Sequence, residues 1–90
     1  MSIISNERKC YVCGTTFNLN RHHIYAGANR PKSEKYGCWC YLCGKHHNLS
    51  SEGVHFNKKL DRELKQLCQK RFIETYPDLD FLKIFRKNYL

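Results

Sequence analysis

Two stretches of the chain decide the fold: CYVCG at residues 10–14 and LCGKHH at residues 42–47. The first presents two thiols separated by two residues, and then a glycine that lets the backbone turn beneath a metal. The second places His46 three residues after Cys43. Together they supply the ligand types and spacing that a closed tetrahedral zinc site requires. We therefore predict a structural Zn²⁺ held by Cys10, Cys13, Cys43 and His46.

Spacing alone leaves a second assignment of the zinc ligands open. Cys40 and Cys43 are also separated by two residues, and a site of four thiolates would leave both His46 and His47 free. We favour His46, because Cys38 and Cys40 alternate within a predicted strand, where their side chains point away from a knuckle turn. Those two cysteines are then expected to be small buried side chains.

Length and composition favour a small domain that binds a polyanion. The chain has 90 residues, which predicts a single domain over residues 1–90 whose small core, at about 10–75, needs a metal staple. Lysine and arginine number 16 against 8 acidic residues, a formal charge of +8, which favours nucleic acid as the partner. No apolar run suits a signal peptide or a membrane span, so we expect a cytoplasmic protein with no membrane partner.

Hydrophobic patterning predicts an α+β fold in which two short strands are followed by helices. The strands are expected at residues 19–25 and 36–42. The segment between them, AGANRPKSEK at residues 26–35, is polar and rich in turn-forming residues. It is therefore predicted to be a flexible, basic hairpin connection.

Two helices are expected after the strands. From about residue 55 to residue 75 the apolar positions recur at spacings of three and four, which predicts an amphipathic helix that ends at Tyr76-Pro77. Its predicted inward face consists of Phe56, Leu60, Leu64, Leu67, Cys68 and Phe72. Asp78 is expected to cap a C-terminal helix at about residues 78–88. The side chains expected to face inward from that helix are Phe81, Leu82, Phe85 and Tyr89.

The histidines suggest a second metal site. Five histidines fall in only three places along the sequence, as His22-His23, His46-His47 and His55. Once His46 is assigned to zinc, four imidazoles remain, too many for an ordinary surface or core. His22 and His23 are neighbours on a strand and should point to opposite faces. One of them can therefore hold a catalytic metal while the other accepts a proton from water.

The order of these motifs resembles the HNH endonucleases, in particular small phage-associated members. The zinc knuckle is followed by His-His-Ile on a strand, a basic loop, Leu-Cys-x-x-His-His and a helix, over about residues 10–70. The resemblance implies a ββα-metal (His-Me finger) core with a structural zinc knuckle and a C-terminal helical extension. It also implies a metal-dependent DNA endonuclease of low sequence specificity that hydrolyses phosphodiester bonds in phage or prophage DNA metabolism.

Residue by residue, the resemblance implies His23 as the general base. It implies His22, His47 and His55 as ligands of a catalytic ion, which would be Mg²⁺ or another divalent ion such as Mn²⁺, Ni²⁺ or Zn²⁺. Residues 50–53 would then form a loop that returns His55 to the site. His55 is otherwise a phosphate contact or a cap of the following helix.

The expected partner is DNA, held through its backbone without reading its sequence. A homodimer in which each copy cuts one strand is compatible with a domain of this size. Two other functions stay open: a non-catalytic zinc-knuckle module that binds nucleic acid, and a zinc-stabilised protein-interaction domain. The residues expected to contact the DNA are Arg21, Arg30, Lys32, Lys35 and Lys45.

Overall fold

The computed structural model describes residues 1–47 and 53–90. In this part of the chain the fold is α+β, with a two-stranded antiparallel sheet and helices, as the patterning predicts. The strands are β1 (Leu19–His23) and β2 (Trp39–Cys43). The helices are a 3-10 turn at Gly27–Asn29, α1 (Arg30–Tyr36), α2 (Gly44–His47), α3 (Lys58–Thr75) and α4 (Phe81–Phe85).

The register of the sheet places the two adjacent histidines of β1 opposite different neighbours. His22 pairs with Cys40, and His23 pairs with Trp39. Successive side chains of a strand leave it in opposite directions, and the two imidazoles differ accordingly in burial. His22 is buried and His23 is partly exposed.

The connection between the strands is helical, which corrects the prediction of a flexible loop. Pro31 lies in the first turn of α1, where its fixed φ suits a helix start and its missing N–H is not needed. The buried Ser33 hydroxyl donates to the Tyr25 carbonyl at 2.7 Å and accepts from the Tyr25 amide at 3.1 Å. These bonds hold α1 against the end of β1.

The second strand begins later than predicted because Gly37 first ends α1. Gly37 adopts a left-handed φ of 76° as the C-cap, and Tyr36 still belongs to the helix. A side chain at position 37 would collide with the backbone carbonyl of Met1. The Ile3 amide also donates to the Gly37 carbonyl at 2.9 Å, so the N-terminal segment packs against this turn.

Helix α3 starts three residues later than predicted. The Asn57 side chain accepts a hydrogen bond from the Leu60 amide at 3.1 Å and so serves as the N-cap. Phe56 precedes the cap and is 66% exposed, so its predicted inward position is wrong. The other predicted positions are buried or partly buried: Leu60, Leu64, Leu67, Cys68 and Phe72.

Helix α4 is shorter than the predicted span of residues 78–88. Its N-cap is Asp80, not Asp78, because the Asp80 carboxylate accepts from the backbone amides of two residues in the first turn. The helix ends at Arg86, which has a positive φ of 64°. Phe81 and Phe85 are buried one turn apart, whereas Leu82 is exposed, which corrects its predicted inward position.

One hydrophobic cluster joins the sheet to the helices. At its centre the ring of Tyr25 packs on Phe81 and Phe85, and Phe72 of α3 contacts the same two rings. The Tyr25 hydroxyl donates to the Lys65 carbonyl at 2.7 Å, which ties the end of β1 to α3. Ile4 and both α4 phenylalanines belong to this core. Among the described residues, no helix combines the length and apolarity that a membrane crossing needs.

Candidate functional site

Two thiols near the N-terminus, one at the end of β2 and an imidazole of α2 meet at one point. The four ligand atoms, from Cys10, Cys13, Cys43 and His46, all lie within 4.8 Å of one another. The Cys13 and Cys43 sulfurs are 3.7 Å apart, and His46 Nδ1 lies 3.2 Å from Cys43 Sγ and 3.8 Å from Cys10 Sγ. A tetrahedral zinc site has edges of about 3.5–3.8 Å between such atoms. This group, the Cys₃His cluster, can therefore hold a metal such as zinc.

The backbone around the Cys₃His cluster favours the binding of a cation. Gly14 turns the chain with a φ of 77°, and its amide donates to the Cys10 carbonyl at 2.8 Å. Burial raises the pKa of the Cys10 thiol, but hydrogen bonds at the backbone of Cys13, Cys43 and Val12 outweigh it and lower this pKa to about 6. Cys10 is therefore a thiolate at neutral pH, the form that binds metals.

Cys40 stands apart from this cluster. It lies three residues before Cys43 on β2 and pairs with His22 across the sheet, so its side chain is on the opposite face. Burial raises the pKa of its thiol to about 12, which keeps it protonated. The geometry therefore favours His46 over Cys40 as the fourth ligand, as predicted.

Three imidazoles form a second group, the tri-histidine cluster, from His22 of β1, His47 of α2 and His55 before α3. Their ligand atoms also lie within 4.8 Å of one another. The Nε2 atoms of His47 and His55 are 3.1 Å apart, and the His22 ring centroid lies 5.4 and 5.5 Å from those of His47 and His55. Two imidazole nitrogens on a tetrahedral metal would be about 3.3 Å apart. The three donors therefore fit one ion.

Backbone hydrogen bonds return His55 to this cluster. The Val54 amide donates to the His46 carbonyl at 2.8 Å, and the His55 amide donates to the His47 carbonyl at 3.3 Å. These two bonds hold residues 54–55 beside α2 before α3 begins. The predicted return loop at residues 50–53 lies mostly outside the described residues. Of the positions left open for His55, the structure places it beside His22 and His47.

His22 is kept neutral and has an unpaired ring nitrogen. Its side chain is buried, and its Nε2 has no hydrogen-bond partner among the described residues. Burial first, and then the neighbouring His47 and His55, lower the pKa of His22 to about 4. Burial likewise lowers the pKa of His47. Neutral imidazoles are the form that binds a metal, and an ion at this point would satisfy the buried nitrogen.

The imidazole of His23 has a different set of partners. Its Nε2 lies 2.6 Å from one carboxylate oxygen of Glu34, and Arg21 donates to the other oxygen at 2.6 Å. The Arg21 guanidinium lies 3.9 Å from the centroid of the Trp39 ring. The hydrogen bond with His23 is the main cause that lowers the pKa of Glu34, so this carboxyl is ionised at neutral pH.

His23 and the tri-histidine cluster line one open cleft. The cleft has a volume of about 200 Å³, and Arg21 and Arg30 also line it. Three clustered imidazoles, a separate imidazole and two guanidinium groups therefore line the same space. Such a space can accept a phosphate group, because anionic oxygens are bound by arginine and by metal ions.

The other three residues predicted to contact DNA do not line this cleft. Lys32 donates from its ammonium to the Ile84 carbonyl at 2.7 Å and so ties α1 to the end of α4. The Lys35 ammonium lies 5.2 Å from the centroid of the Tyr36 ring. Lys45 is exposed on α2. Of the predicted basic contacts, the structure brings Arg21 and Arg30 to the histidines.

Two acidic residues near the histidines were missed by sequence reasoning. Glu34 lies in the segment that was expected to be a loop, and it is the only acidic residue of residues 26–35. That isolated acid in a basic segment was the available signal. Asp61, in the first turn of α3, lines a neighbouring cleft with His22 and His55. It pairs with Lys65 at 2.8 Å, and helical periodicity alone gave no reason to select it.

Comparisons of the chain with protein-family models, curated proteins and solved structures found no match. The likeness to HNH endonucleases therefore stays a prediction from motifs and their order.

Proposed function

We propose that the chain is a metal-dependent HNH-type DNA endonuclease with a ββα-metal core, which hydrolyses phosphodiester bonds with low sequence specificity. The observation that carries this proposal is the convergence of three imidazoles beside a fourth, His23, in one cleft. A metal site with three protein ligands keeps a coordination position open for substrate, whereas the Cys₃His cluster has the four ligands of a closed structural site. The proposal thus gives the two clusters different tasks.

The order of the elements supports the ββα-metal assignment. β1 supplies His22 and His23, and β2 leads directly into α2 with His47. His55 lies three residues before the first residue of α3. The ligands of the proposed catalytic ion thus come from a strand, from the short helix that follows the hairpin and from the segment that leads into α3, in the order that the family resemblance implies.

His23 is the general base in this proposal. Its neutral imidazole accepts a proton from water while the water oxygen attacks phosphorus in line with the 3′ oxygen. The bond between phosphorus and the 3′ oxygen breaks, and the departing oxygen takes a proton from solvent, which gives 5′-phosphate and 3′-hydroxyl ends. A divalent ion bound by His22, His47 and His55 supplies stabilisation of the negative charge on the departing oxygen.

The type of ligand atom in the tri-histidine cluster indicates which divalent ion it should bind. Imidazole ligands suit zinc and nickel, whereas magnesium and manganese prefer carboxylate, carbonyl and water oxygens. The tri-histidine cluster contains three imidazoles and, among the residues that the structure describes, no carboxylate. Of the ions expected from the resemblance, Zn²⁺ and Ni²⁺ should therefore bind the cluster more tightly than Mg²⁺ or Mn²⁺.

Charge supports DNA as the substrate. The chain carries a formal charge of +8, and the exposed Arg30 and Arg21 lie at the cleft. Contacts of this kind hold the phosphate backbone and do not distinguish bases, which is why low sequence specificity is proposed. Binding should weaken steeply as the salt concentration rises, because each neutralised phosphate releases counterions.

The test is cleavage of supercoiled plasmid by the zinc-loaded protein in the presence of Mg²⁺, Mn²⁺, Ni²⁺ or additional Zn²⁺. His23→Ala should lower the cutting rate by about 10²–10⁴-fold, the usual contribution of a general base. Asn20→Ala, which changes an exposed neighbour on the same strand, is the matched control and should cut at the parental rate. Circular dichroism and zinc content establish that each variant is folded.

Two results would count against the proposal. A folded His23→Ala protein that cuts at the parental rate would remove His23 as the base. A folded, zinc-loaded parent that binds DNA but cuts it with none of these ions would favour a non-catalytic nucleic-acid-binding module.

A further inference from the structure

We propose that Glu34 is a positioning residue for His23, which holds the imidazole in the tautomer with its proton on Nε2 and leaves Nδ1 to accept a proton from water. The observation behind this is the 2.6 Å contact between His23 Nε2 and a carboxylate oxygen of Glu34. The catalytic part of this inference rests on the proposed nuclease function. The tautomer is a property of the protein that can be measured without any activity.

The chemistry of the pair decides the tautomer. An ionised carboxylate can only accept hydrogen bonds, and a neutral imidazole has one N–H and one bare nitrogen. A short contact between Glu34 and Nε2 therefore requires that Nε2 carries the proton. Nδ1 is then the ring nitrogen with a free lone pair. A carboxylate orients the basic histidine of the serine-protease triad by the same principle, with the roles of the two ring nitrogens exchanged.

Arg21 holds the Glu34 carboxylate in place, and that carboxylate in turn orients the imidazole of His23. Its guanidinium donates to the second oxygen of Glu34 at 2.6 Å and lies on the Trp39 ring. Glu34 itself stands on α1, which is held to the end of β1 by the two hydrogen bonds between Ser33 and Tyr25. Hydrogen bonds thus link three side chains in series, from Arg21 through Glu34 to His23.

The contacts among Arg21, Glu34 and His23 predict that Glu34→Gln changes the tautomer of His23. A guanidinium can only donate hydrogen bonds, so Arg21 would retain the amide oxygen of the new side chain. The amide NH₂ group would then face His23 and donate to Nε2, which would move the imidazole proton to Nδ1. The variant keeps the size of Glu34 but removes the free lone pair from Nδ1.

Removing the arginine should reverse the effect. In the double variant Arg21→Met/Glu34→Gln, no donor holds the amide oxygen, so the amide can rotate and present that oxygen to His23 Nε2. Methionine retains an unbranched stem to cover Trp39. A second substitution that restores what the first removed is not expected from a purely structural role for either residue.

The experiment uses the zinc-loaded protein labelled with ¹⁵N-histidine, and nitrogen chemical shifts report the tautomer of His23 without DNA. We expect the Nε2–H form in the parent, the Nδ1–H form in Glu34→Gln, and a return to Nε2–H in the double variant. On plasmid at saturating concentration, kcat should fall about 100-fold in Glu34→Gln and recover at least about tenfold in the double variant. Loss of Arg21 at the cleft should appear in KM.

Glu74→Gln is the matched control, because Glu74 is an exposed carboxylate near the end of α3. It should change neither the tautomer of His23 nor kcat. An Nδ1–H parent, or a Glu34→Gln protein that keeps the Nε2–H form, overturns the tautomer assignment. A switched tautomer with unchanged or increased kcat overturns the positioning role. A parent with the expected tautomer that cuts no DNA overturns the proposed function and the catalytic role of Glu34, and leaves the tautomer assignment standing.

Discussion

Acidification should destabilise the protein through His22 when the tri-histidine cluster holds no ion. Burial lowers the pKa of this imidazole to about 4 from its ordinary value of 6.5. As the pH falls, the unfolded chain therefore binds a proton before the folded protein does. The neutral His22 therefore makes its full contribution to the free energy of unfolding above about pH 6.5, and this contribution is lost progressively as the pH falls towards about 4. The difference between the two pKa values corresponds to about 3 kcal/mol in the free energy of unfolding, and about 2 kcal/mol of this is lost between pH 7 and pH 5.

The assay is urea unfolding, followed by circular dichroism at several pH values, of protein that holds one zinc ion per chain. The comparison is with His22→Gln, which has no titrating group at that position. The Cys₃His cluster is the same in both proteins, so its own sensitivity to acid cancels in the difference. The parent should lose about 2 kcal/mol more than the variant between pH 7 and pH 5. Equal losses in the two proteins would refute the burial argument.

Three further predictions concern zinc, the core and a helix cap. Cys43→Ser should lose the structural zinc and unfold, whereas Cys40→Ser should keep a full equivalent in a metal-content measurement; loss of zinc from Cys40→Ser as well would restore Cys40 as a ligand. Phe72→Ala should lower the free energy of unfolding by about 3–5 kcal/mol, because its ring is completely buried between α3 and α4, and a loss below about 1 kcal/mol in urea unfolding would contradict that packing. Asp80→Ala should cost about 1 kcal/mol of stability and Asp78→Ala almost nothing, because only Asp80 caps α4; equal melting temperatures would contradict this.

Sequence reasoning succeeded where a pattern is local. The two thiols and the Cys-x-x-His pair of the Cys₃His cluster each lie within a single turn of backbone, so their spacing indicates metal-binding chemistry before any folding is considered. The buried face of α3 follows from helical geometry, which places Leu64, Cys68 and Phe72 on one side. The different burial of His22 and His23 follows equally from the alternation of a strand.

The same reasoning failed where a remote partner selects one local structure over another. Residues 26–35 have the composition of a loop, but Ser33 hydrogen-bonds to the end of β1 and Gly37 packs against Met1, and these contacts stabilise α1. Phe56 fits the apolar period of α3, yet the Asn57 cap starts the helix after it. Such contacts join residues whose proximity has no signature in the sequence.

The residue types and spacings alone therefore determined a basic α+β chain with two short strands, an amphipathic helix, and cysteines and histidines spaced to bind a metal. Only the tertiary structure decided that His55 returns beside His47 and His22, because the bonds that hold it join the backbone of residues 54–55 to that of His46 and His47. It also decided that Glu34 lies beside His23. Those two residues are 11 positions apart on a helix and a strand, and their contact depends on how α1 packs on the sheet.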